Sequence, residues 1–65
     1  MPEMTNCEYN CLKLLYKLAA IDWFIENHGY PDAANEKQPD CTKLMEHLQK
    51  DLEKHIGAFK KHVCK

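Results

Sequence analysis

At 65 residues, 45% hydrophobic and 29% charged, with a formal net charge of −1, the chain is one small domain near the lower limit for a self-sufficient core. Domains of this size commonly draw on disulfides, a metal or oligomerisation. All nine basic residues are lysine. Without arginine for bidentate phosphate and base contacts, and without a net positive field, nucleic-acid binding is not expected.

The first element is predicted to start at Thr5 or Asn6 as N-cap, with Glu8 near the positive end of the helix dipole, and to run to about His28. Across residues 11–25 only Lys13, Lys17 and Asp22 are strongly polar. At ~100° per residue, Leu12, Leu15, Leu18, Ala19, Ile21, Trp23, Phe24 and Ile25 then point in nearly every direction. A helix that is apolar on all sides is buried on all sides, and one further helix cannot cover it. The first helix is therefore the expected contact surface, with Leu15, Leu18, Ile21 and Phe24 in or near an interface with a second copy or a protein partner. The same segment is too short and too charged to span a bilayer, which takes ~20 apolar residues. It also lacks the single polar face of a helix lying in a membrane surface. The Met-Pro-Glu start has no basic segment followed by a clean apolar run, so a cytoplasmic, reducing location is the expectation for a complete chain.

His28-Gly29 reads as a stop, with Gly29 suited to a left-handed C-cap and Pro31 following. Residues 29–39 form the expected connection, with room for one short helical turn near Pro31. Pro39 then opens a second helix, with Asp40 as N-cap, running to about Val63. Its apolar face is Leu44, Met45, Leu48, Leu52, Ile56, Phe59 and Val63, at spacings of three and four. His55 falls between Leu52 and Phe59 and is expected to be buried and hydrogen-bonded. His47 is expected in solvent, and His28 as a cap of the first helix. Gly57 reads as a tolerated surface glycine or a point of close helix approach.

The expected architecture is all-α: an antiparallel helical hairpin forming one domain over residues 1–65 and dimerising into a four-helix bundle. The competing arrangement has three helices, the connection packing over Trp23 and Phe24.

Four cysteines and four histidines are a dense supply of soft ligands. Cys7 and Cys11 are four apart on the first turns of one helix, and His62 and Cys64 close the other. Antiparallel packing brings these to one end and leaves Cys41 at the other, ~30 Å away by helical rise. Because every full pairing of four cysteines uses Cys41, a two-disulfide framework within one hairpin is not expected, although a single bridge such as Cys7–Cys64 is possible. A metal site would use Cys7, Cys11, Cys64 and His62, or Cys41 supplied by a second copy, holding zinc or an iron–sulfur cluster. The bland alternative is that the thiols only pack, Cys11 beside Leu15 and Leu18. A thiol-redox role for Cys7 or Cys41, each beginning a helix, lacks a resolving partner. Asp22, on the stripe of Leu15 and Leu18, is expected at the surface, or paired with a lysine or histidine of the second helix, or as a metal ligand.

No Ser/His/Asp set, phosphate-cradling loop, Glu-x-x-His pair or paired catalytic carboxylates is present, so enzymatic activity is not expected. Three functional readings follow: a helical protein acting through self-association or a protein partner, a small metal-binding protein, and a secreted disulfide-stabilised effector.

Overall fold

In a computed structural model, which describes residues 4–63, the described chain is all helical. Helix α1 spans Asn6–Phe24, passes through one widened π turn at Ile25–Gly29, and continues as α2, Tyr30–Asn35. After residues 36–38 the chain reverses into α3, Pro39–Val63. The two rods pack side by side in a shape of 51 × 17 × 14 Å. The radius of gyration is 15.1 Å, against ~11 Å for a compact domain of this length.

Local chemistry sets the ends. The Glu8 backbone N–H donates to Thr5 Oγ1 at 3.1 Å, and the Thr5 hydroxyl donates to Glu8 Oε1 at 3.0 Å. Thr5 is thus the N-cap, held by a variant of the Thr-x-x-Glu box. The first rod does not stop at Gly29. Gly29 keeps right-handed helical angles, and the left-handed residue is Lys37, φ 55°. The Gln38 N–H donates to Ala33 O at 2.9 Å and the Lys37 N–H to Ala34 O at 3.2 Å. This is the Schellman pattern of a helix C-terminus, placed eight residues later than the Gly29 signal.

The reasons are local. A proline inside a helix lacks a donor and crowds the carbonyl four residues back; the widened turn ahead of Pro31 absorbs both. Beside that turn, Asn27 Nδ2 donates to Trp23 O at 2.9 Å. The rods approach closely at Gly29: a Cβ there would lie 2.5 Å from Met45 Sδ on α3, so any other residue requires the Met45 side chain to shift. The expected connection over 29–39 therefore shrinks to residues 36–38. At its far side Pro39 takes the first helical position, as proline favours, and Asp40 lies in the first turn instead of capping it.

The seam between the rods follows a strict alternation of four and three. From α1 it takes Cys11, Leu15, Leu18, Asp22 and Ile25, and from α3 Thr42, Met45, Gln49, Leu52, Ile56, Phe59 and Val63, all buried or half-buried. This is the narrow stripe of a two-stranded antiparallel coiled coil, not the broad face of a globular helix. Only Ile25, Ala33 and Leu52 are buried among the described residues, and none of them completely. Leu44 (72% exposed) and Leu48 fall outside the stripe, as does His55, which is exposed where a buried state was expected. Trp23 and Phe24 stay exposed, because α2 extends the rod instead of folding over them as the three-helix alternative requires. No helix among the described residues is long and apolar enough to cross a membrane.

Candidate functional site

Two features stand beside the seam: a thiol–imidazole cluster at the open end, which shares Cys11 with it, and an apolar face along one side.

Antiparallel packing carries the last turn of α3 to the first turns of α1. There Cys7, Cys11 and His62 bring one donor atom each to within 4.8 Å of one another. Cys7 and His62 are exposed and Cys11 is half-buried. Burial first, then the adjacent Cys7 thiol, raises the Cys11 pKa above its ordinary value. Two neighbouring thiols resist joint ionisation unless a cation joins them. Cys41 is exposed at the opposite end of α3, twenty-one residues from His62 in sequence and so ~30 Å along the axis. Cys7, Cys11 and Cys41 are free thiols. Cys64, the remaining sequence candidate, lies outside the described residues.

The apolar face follows from positions seven apart. On the first rod these are Cys7, Leu14 and Ile21 of α1 and His28 of the π turn; on α3 they are Cys41, Leu48, His55 and His62. All eight are exposed. The two ladders meet at both ends of one side of the hairpin. Cys7 approaches His62 at the open end, and Phe24 and His28 share a groove with Cys41 and Met45 near the turn. Leu14, Ile21, Phe24, Leu44 and Leu48 therefore lie on a common face, the last two supplied by α3. The expected interface residues divide: Leu15 and Leu18 are half-buried in the intramolecular seam, while Ile21 and Phe24 are exposed. His28 does not cap a helix end. It sits in the π turn, its ring 5.4 Å from Trp23 and 5.3 Å from Phe24 between centroids.

The opposite side is acidic. Gln49 Nε2 donates to Asp22 Oδ1 at 3.0 Å and to Glu26 Oε1 at 2.7 Å, and the Tyr30 hydroxyl donates to Gln49 Oε1 at 2.6 Å. Burial, with the charges of Glu46, Glu26, Asp22 and Glu53 behind it, raises the Tyr30 pKa. Asp22 is half-buried instead of at the surface, and its partner is Gln49, neither the lysine nor the histidine given as its alternative partners. Sequence reasoning passed over Gln49, yet its place four residues after Met45 and three before Leu52 put it on the seam.

No family model, curated protein or solved structure matches the chain.

Proposed function

We propose that this chain is a non-enzymatic association module whose working unit is two copies packed into a four-helix bundle. The observation that carries the reading is the mismatch between three buried residues and a patch of large apolar side chains left in solvent toward the turn end of one side. Leu14, Ile21, Phe24, Leu44 and Leu48 form that face, and a second copy presents the same residues back to it in a self-complementary contact. Charge favours the same side. The Asp22, Glu26, Glu46 and Glu53 carboxylates lie on the opposite side, where two copies would set like charges against each other. The net charge of −1 adds little long-range repulsion.

Light scattering of the whole chain is expected to give twice the 7.6 kDa chain mass at micromolar concentration. Ile21→Lys with Leu48→Lys is expected to reduce it to the chain mass with helicity retained, whereas Leu12→Lys on the other flank leaves the dimer intact. A parent chain that runs at its chain mass, or a dimer that survives the first substitutions and is lost with the second, overturns the reading.

A further inference from the structure

We infer that Cys7, Cys11 and His62 form a binding site for one thiophilic divalent cation, of which zinc is the natural occupant, clamping the first turns of α1 to the last turn of α3. The three donor atoms come from two separate helices and converge to within 4.8 Å. In a tetrahedral zinc site, with Zn–S ≈ 2.3 Å and Zn–N ≈ 2.0–2.1 Å, donor atoms lie ~3.4–3.8 Å apart. A contraction of about 1 Å is what side-chain rotation supplies at an exposed Cys7 and an exposed His62. The helices already hold the backbones in place, because residues four apart on one helix project side by side and the seam fixes α3 against them.

The donor set selects the ion. Two thiolates and an imidazole suit zinc and other borderline or soft ions, and reject magnesium and calcium, which take oxygen ligands. Charge balances: each thiol gives its proton to solvent, and the two thiolates neutralise the divalent cation. The imidazole binds through a neutral nitrogen, so uptake weakens as the solution is acidified. The exposure of Cys7 and His62 leaves the fourth position open to a further ligand. All three donors come from one chain, although Cys7 and His62 stand at the end of the face proposed above for association, so the cobalt titration is read on the chain-mass variant Ile21→Lys with Leu48→Lys as well as on the parent.

The test is titration of the whole reduced chain with cobalt(II), which reports thiolate ligation as a near-ultraviolet charge-transfer band and tetrahedral geometry as visible d–d bands. The expected result is one cobalt per chain, displaced by zinc, with zinc raising the melting temperature. Cys7→Ser removes an exposed ligand without touching the seam and is expected to abolish the charge-transfer band, as is Cys7→Ser with Cys11→Ser. His62→Ala is expected to weaken binding by roughly tenfold or more, no less than loss of an outer-shell partner costs. Cys41→Ser is expected to leave spectrum and affinity unchanged. Absence of the bands in the parent chain, their persistence in Cys7→Ser with Cys11→Ser, or their loss in Cys41→Ser overturns the site.

Discussion

Gln49 and Asp22 face each other across the seam at 3.0 Å, amide nitrogen to carboxylate oxygen, in a stripe that is otherwise mostly apolar. Sliding one rod by seven residues would set Gln49 against Leu15 or Gly29, neither of which offers its amide a side-chain partner. A single polar layer of this kind selects one register of a coiled coil at some cost in stability. Gln49→Leu is expected to destabilise the fold by about 1–3 kcal/mol, because half-buried Asp22 and Tyr30 lose their partner. Adding Asp22→Leu should recover the Asp22 share of that loss, since no carboxylate is then left unpartnered in the seam, while the Tyr30 share remains. Denaturant midpoints of the three chains check it; a double variant less stable than the single one rejects the pairing.

Tyr30 gives the fold a pH dependence at the alkaline end. Burial first, and four carboxylates second, place its folded pKa above the ordinary 10.0. The unfolded chain therefore loses this proton first. The associated stability is fully present below pH 10.0 and is lost as pH rises from there through the folded value. Tyr30→Phe should remove this component, so parent and variant melting temperatures should diverge less at high pH than near neutrality. Parallel curves across the alkaline range would show that the hydroxyl does not titrate differently in the fold.

Lys37 closes the helical turn from the left-handed region, φ 55°, where a Cβ is strained and glycine is not. Lys37→Gly should therefore stabilise the hairpin by about 1 kcal/mol, or ~4–8 °C in a domain of this size. A fall in the melting temperature would place the reversal elsewhere.

The two glycines should respond in opposite ways to alanine. Gly57 has nothing within 4 Å of the position a Cβ would take, so Gly57→Ala should gain about 1 kcal/mol of helix propensity. At Gly29 the new methyl meets Met45 Sδ at 2.5 Å, and displacing a half-buried seam residue should cancel the same gain. Thermal melts of the two single variants suffice; equal stabilisation would show that α3 does not approach Gly29 closely.

The helical class, the antiparallel hairpin and the gathering of Cys7, Cys11 and His62 at one end were legible because each follows from periodicity and helical rise. The end of the first rod was not. Gly29 followed by Pro31 is a strong stop signal when read locally, but Gly29 keeps helical angles and lies close to the Met45 side chain of the other helix, a tertiary contact that no neighbouring residue announces. Leu44 and Leu48 were overread for a related reason. Apolar residues three and four apart define a face, and the sequence does not say whether one partner helix will cover all of it or only its centre. His55 was misplaced with them, since a residue between Leu52 and Phe59 on the chain need not lie between them on the helix surface. The Asp22 partner was sought among charged residues, where an amide able to serve two carboxylates met the need.

The widened turn at Ile25–Gly29 also acts as a phase shifter. In an unbroken α-helix the residue seven beyond Ile25 would return to the seam, and that residue is Asp32. Taking up one extra residue rotates the following segment, so that exposed Asp32 turns outward and Ala33 becomes one of the three buried residues. The segment thus carries a one-residue insertion relative to a regular heptad frame, tolerated because the distal end regains its phase. Excising a single residue from the turn would leave a plain helix of the same facing, with alanine still closing the end of the hairpin.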